Sequence, residues 1–209
     1  MRNTFISYHH RNDQKYKNHL LDLNGNNDIF VDYSVNTDEI DDSLPPQTIR
    51  RIIRDDYLRN STVTILLCGS ETRFRKHVDW ELKPSMIDGP INKKSGILVI
   101  NLPTTGGDTW HADLPGEKDQ IYFNYSGSWI TIETKSDFQS RFPDMPERIL
   151  DNLLSPNVTM SVVPWSIIEN QPENLRYYIE ETAKVRSANN YDLSLQMRMR
   201  DHNPAFEFS

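Results

Sequence analysis

With 209 residues, 36% hydrophobic and 25% charged, the chain is long enough for a full α/β core and has the composition of an ordinary globular fold. No run approaches the roughly 20 apolar residues of a membrane span. The net charge of −7, without a basic cluster longer than a few residues, argues against a nucleic-acid binder. The single cysteine, Cys68, excludes an internal disulfide and a paired-cysteine metal site.

Met1 to Tyr8 runs directly into a strand-like segment, which is not a signal-peptide pattern, and the expected location is cytoplasmic. Thr4 to Tyr8 reads as a short buried strand. Asn12 or Asp13 then offers a helix cap, Tyr16, Leu20 and Leu23 recur at helical spacing, and Gly25 reads as the stop. Ile29 to Asp32 forms a second strand, followed by a polar loop from Ser34 to Ser43. Pro45 and Pro46 suit a helix start, with Ile49, Ile52, Ile53 and Tyr57 on one face. Val63 to Cys68 is an apolar, β-branched strand ended by Gly69. A helix is predicted over Asp79 to Ile87, and a fourth strand over Gly96 to Leu102. Strand and helix alternating at this spacing predict a parallel sheet covered on both faces, with the ligand crevice at the carboxyl ends of its strands.

The second half reads as a long polar loop from Pro103 to Asp119 and then a hairpin of Ile121–Tyr125 and Trp129–Glu133 around Ser126-Gly127. Glu147 to Leu154 reads as a short helix, Val158 to Val163 as a strand, and Pro172 to Arg186 as an amphipathic helix. The polar tail from Ser187 is expected to be loosely held. The whole chain, 1–209, is expected to be one domain, with a core of about 1–125 and an elaboration of about 126–209.

Two segments carry candidate chemistry. Phe5-Ile6-Ser7-Tyr8-His9-His10 would deliver a hydroxyl, a phenol and two imidazoles to the rim; adjacent histidines diverge and no third ligand is suitably spaced, so no metal is expected. In Arg73 to Ser85, Asp79 is read as a helix cap that leaves Glu81 in the first turn, where the helix dipole favours a carboxylate. Such a carboxylate, facing a crevice, can stabilise a cationic sugar transition state. Cys68, at a strand end, reads as a buried core residue. Asp32 ends a strand as the phosphoacceptor of a receiver domain does, but the first strand leads into Ser-Tyr-His-His, not the paired acids that hold magnesium.

Phe-Ile-Ser-Tyr at 5–8, the acid-terminated strand at Asp32 with its long following loop, and Val63 to Ser70 leading to Arg75-Lys76-His77-Val78-Asp79-Trp80-Glu81-Leu82 together resemble the TIR-like ThsB family of Thoeris anti-phage defence. The resemblance covers roughly residues 3 to 102. It implies a flavodoxin-like parallel sheet of about five strands with helices on both faces and a C-terminal elaboration. It also implies cleavage of the nicotinamide–ribose bond of NAD, as substrate and without a further cofactor, to an ADP-ribose signal, typically cyclic, that activates a ThsA effector. The family's catalytic glutamate corresponds to Glu81, and its NAD-lining rim to Phe5, Ser7, Tyr8 and His9, with Asp32 at the end of the second strand. Tyr8 is expected to meet a flat ring or a phosphate, and His9 the pyrophosphate as a partial cation. Self-association is a further expectation. The alternative is a TIR-like interaction module without catalysis. His77 stands where relatives have tryptophan, and Pro84 implies that the Glu81 helix starts late or kinks.

Overall fold

The computed structural model describes residues 1–34, 43–89 and 92–201. In chain order the elements are β1 (Arg2–Ser7), α1 (His10–Asn27), β2 (Phe30–Asp32), α2 (Pro46–Ile52) continuing into a π-turn at Ile53–Tyr57, β3 (Val63–Cys68), a 3₁₀ turn at Thr72–Phe74, α3 (Lys76–Ser85), β4 (Gly96–Asn101), a 3₁₀ turn at Pro103–Thr105, α4 (Glu117–Gln120), α5 (Lys135–Arg141), α6 (Glu147–Leu153), β5 (Val162–Pro164), α7 (Trp165–Ile168) and α8 (Pro172–Val185). The loop read from Ser34 to Ser43 lies mostly outside the described residues.

All strand pairs are parallel and the order is β2-β1-β3-β4-β5. This is the doubly wound flavodoxin-like arrangement. Strand alternation sorts the core onto two faces. Val63, Ile65 and Leu67 pack with Leu98 and Ile100 against α1, α7 and α8, through Leu20, Trp165, Leu175 and Ile179. Leu66 and Cys68 pack with Ile97 and Val99 against α3, α5 and α6, through Val78, Leu82, Phe138 and Ile149. A smaller cluster joins Phe5 to Ile49, Ile53, Leu58 and Trp80. β1 therefore turns Phe5 toward α2 and α3, and Ile6 toward α1 and α8; Ser7 follows Phe5 by the period of two. No helix among the described residues is long and apolar enough to cross a membrane.

β5 completes the sheet from well beyond residue 125. It is held there by Glu117, whose buried carboxylate accepts from Ser161 Oγ at 2.5 Å, Tyr178 OH at 2.9 Å and the amides of Asp113 and Leu114 at 3.1 Å. Burial raises the Glu117 pKa, and these four donors oppose the rise.

Several expected boundaries shift for identifiable reasons. α1 starts at His10 and passes through Gly25, around which a Cβ would meet nothing within 4 Å. It ends instead at Asp28, in the left-handed region at φ 50°, where Asn24 Oδ1 accepts from the amides of Ile29 and Phe30. The hairpin at 121–133 does not form. Trp110 stacks on Tyr122 at 4.3 Å and meets Tyr125 and Trp129 edge to face, so aromatic packing organises that segment in place of a ladder. The Tyr125 hydroxyl lies 2.4 Å from where a Cβ on Gly127 would be, so any side chain there would require the Tyr125 ring to move aside. Of the tail from Ser187, residues 189–201 are not loosely held but lie as a strap against α6 and α3, as the next section describes, and the remainder from 202 lies outside the described residues.

Candidate active site at the switch between β1 and β3

In a 2-1-3-4-5 sheet the chain reverses its winding direction between β1 and β3, which leaves a crevice outside the carboxyl ends of those strands. β1 ends there in Ser7, paired in register with Leu66 of β3. The connection after β3 leads into α3, which carries Glu81. Ser7 Oγ donates to Glu81 Oε2 at 2.6 Å, and both side chains are buried, Glu81 at 2% exposure. Two residues 74 apart in sequence thus meet at the position where this fold places ligands.

The local frame differs from the sequence expectation. α3 begins at Lys76 with Arg75 as its cap position, so Glu81 lies in the second turn, and the first-turn dipole argument does not apply to it. Asp79 caps nothing. It is buried and receives Arg148 Nε at 2.7 Å and Nη2 at 3.2 Å in a two-pronged ion pair, with Arg148 only 1% exposed. The helix does not start late, and Pro84 lies inside it. Glu81 O accepts from Ser85 Oγ at 2.8 Å, and Thr64 Oγ1 of β3 donates to Ser85 Oγ at 2.9 Å, which ties the last turn of α3 to the sheet. His77 meets the Trp80 ring edge to face at 5.0 Å.

The other expected rim residues scatter around this centre. Phe5 is fully buried and packs in the cluster containing Trp80, behind the Ser7–Glu81 pair. Tyr8 turns to the α1 face, where its hydroxyl donates to Gln14 Oε1 at 2.7 Å and its ring lies 4.3 Å from that of His10. His9 precedes α1, with Nδ1 3.9 Å from Glu71 Oε2. Burial first, and the Arg75 guanidinium second, lower the His9 pKa to about 4, so the imidazole is neutral at pH 7 and lacks the partial charge expected for meeting a pyrophosphate. Asp32 is not brought to the centre. It is level with Thr4, three positions before Ser7, and its Oδ1 accepts from Ser34 N in a local turn.

Sequence reasoning missed three contributors. Asp13, read as a cap, is buried inside α1. The position of a Cβ on Gly69 lies 2.6 Å from both its carboxylate oxygens, and burial, opposed by Thr72 and Lys15, pushes the pKa up to about 6. Arg75, beside Glu71 and 3.8 Å from Asp201, supplies positive charge near His9. The Asp79–Arg148 pair spans 69 residues, and only the helical spacing of Asp79 from its neighbours on α3 hinted at an inward-facing acid. Cys68 is fully buried, and burial raises its thiol pKa, consistent with a core residue.

The strap adds a second layer. Asn152 Oδ1 accepts from Asp192 N at 2.8 Å, Lys83 Nζ donates to Leu195 O at 2.6 Å, and Trp80 Nε1 donates to Arg198 O at 2.7 Å. Arg198 N donates to Asp79 Oδ2, and Lys76 N to Asp201 Oδ1, both at 2.7 Å.

A parallel sheet in the order 2-1-3-4-5, with a serine from β1 and a glutamate from the helix after β3 meeting at its switch point, is a TIR-like α/β domain. Residues 5–106 match the family described as Thoeris protein ThsB, TIR-like domain, the family that the sequence motifs resemble. Among curated proteins, none matches the chain.

Proposed function

We propose that the chain is an NAD-consuming enzyme of Thoeris defence, with Glu81 as its catalytic residue. The observation that carries this reading is the Ser7–Glu81 pair at the β1/β3 switch point, a carboxylate held in one orientation where the fold binds ligands. Nicotinamide in NAD is a cationic leaving group and needs little acid assistance. The demand on the protein is to stabilise the oxocarbenium-like ribose as the glycosidic bond stretches, and an oriented carboxylate at the ribose hydroxyls does so by charge. Ser7 sets the orientation, and Phe5 and Trp80 form the apolar backing that keeps water away. Tyr8, His9 and Asp32 would contribute from the margins of the site. The product is an ADP-ribose signal, cyclic by the family resemblance, read by a ThsA-type effector; the active form is self-associated, and the compartment is the cytoplasm.

The low exposure of Glu81 favours a second reading, a TIR-like interaction module in which the Ser7–Glu81 pair only holds α3 to the sheet. One experiment separates the two. The purified chain and Glu81→Gln are incubated with NAD, and the products are resolved by chromatography and mass spectrometry. The enzyme reading expects nicotinamide release, a product with the mass of ADP-ribose minus water, and turnover lowered at least about a hundredfold in the variant. A well-folded wild-type chain that leaves NAD intact, alone and concentrated, supports the module.

A further inference from the structure

The face of α3 that grips the strap is a regular stripe. Lys76, Asp79, Trp80 and Lys83 stand at i, i+3, i+4 and i+7, and each bonds to residues 195–201. Val78 and Leu82 pack on the sheet, and Glu81 points to Ser7. α3 is therefore clamped between β-strands and strap. Arg148 joins the two, because its guanidinium bonds Asp79 and also the carbonyls of Leu195 at 3.2 Å and Gln196 at 3.3 Å. The clamp acts where the helix is weakest: Pro84 lacks the N–H that would bond the Trp80 carbonyl, next to Glu81. The Trp80 side chain makes up for it by anchoring to Arg198 O.

We propose that Asp79 and Arg148, together with the strap at 189–201, are positioning elements for Glu81: Arg148 and the strap, which lie outside the segment that matches the family, act through Asp79 and Trp80 on α3 to set the carboxylate against Ser7. Asp79 and Arg148 touch no substrate. They act by fixing the rotation of α3, and a rotation that lengthens the 2.6 Å contact misdirects the carboxylate. This rests on the enzymatic reading of Glu81, and the test keeps the two apart.

The full-length chain is compared with Arg148→Met, which leaves the Asp79 carboxylate buried and unpaired, with the double variant Asp79→Asn, Arg148→Met, which removes that charge, and with Trp80→Phe, which deletes the indole donor to Arg198. Deuterium uptake is read for the amides of α3 and, as a reference, of β3 and β4; kcat and KM are read for NAD. In the double variant and Trp80→Phe, α3 exchange is expected to rise at least about tenfold with β3 and β4 unchanged. The same variants should lose kcat at least about tenfold with KM within about twofold, because orientation is lost in the transition state and not in binding. Arg148→Lys, which keeps the charge with fewer donors, should recover part of kcat. The proposal is overturned by α3 exchange that stays at the wild-type level, by α3 exchange that rises with kcat unchanged, or by exchange that rises equally in β3 and β4. If the wild-type chain consumes no NAD, the proposed function fails, and the exchange data alone decide: selective loosening of α3 supports the positioning role, and unchanged or uniform exchange overturns it.

Discussion

Removing the Ser7 hydroxyl takes a donor at 2.6 Å from the buried Glu81 carboxylate. Ser7→Ala is expected to cost about 1–3 kcal/mol of unfolding free energy in urea titration, together with a lower kcat for NAD. A variant as stable and active as wild type would remove Ser7 from the site. Asp13 yields a pH prediction. Its folded pKa is about 6, above the ordinary carboxylate range, so the folded chain holds a proton that the unfolded chain has released. Stability contributed by this group is present at low pH, falls as pH rises toward about 6, and stays lowered above it. Asp13→Asn should therefore stabilise the protein by up to about 3 kcal/mol at neutral pH, with the gain vanishing near pH 3. An equal gain at both pH values would point away from protonation as the cause. Neither role was legible in the sequence beforehand in full. Ser7 and Glu81 could be paired on topology and family resemblance, whereas Asp13 looked like a cap because its real partners, Gly69 and Thr72, lie in the loop after β3.

β1, β3 and β4 were readable as elements because buried parallel strands are short apolar runs, and α8 because Leu175, Tyr178, Ile179 and Thr182 keep helical spacing. The segment 121–133 misled for the same reason: it alternates as a strand does, yet Phe123 and Ile130 are exposed and the aromatic rings choose one another. α5 was missed because its seven residues are mostly polar and only Phe138 is buried. The packing of α8 on β4 rests on Gly96, where a Cβ would stand 2.3 Å from the Thr182 carbonyl oxygen, a backbone atom that cannot move aside alone. Gly96→Ala is expected to push α8 outward and cost about 1–3 kcal/mol, seen as a lower Tm in calorimetry. An unchanged Tm would mean that α8 shifts at no cost.

At the level of the whole molecule, self-association predicts that NAD turnover per chain rises with protein concentration and levels off once the assembly is saturated. Activity per chain that is flat over a wide dilution series would show that one copy suffices. Net charge and composition could say only that the chain folds in water. The tying of the second half to the first was invisible in sequence, since the Asp79–Arg148 pair and the Trp80–Arg198 bond are long-range polar contacts with no local pattern. That tie has a consequence for biosynthesis. A ribosome makes Arg198 118 residues after Trp80, and domains begin to form from their N-terminal parts while the chain is still growing. Ser7, Glu81 and the strands between them are all made long before the strap that orients them. A nascent or prematurely stopped chain then carries Ser7 and Glu81 but not the grip on α3, so under the proposed function NAD turnover is expected to begin only once residues 189–201 have been made.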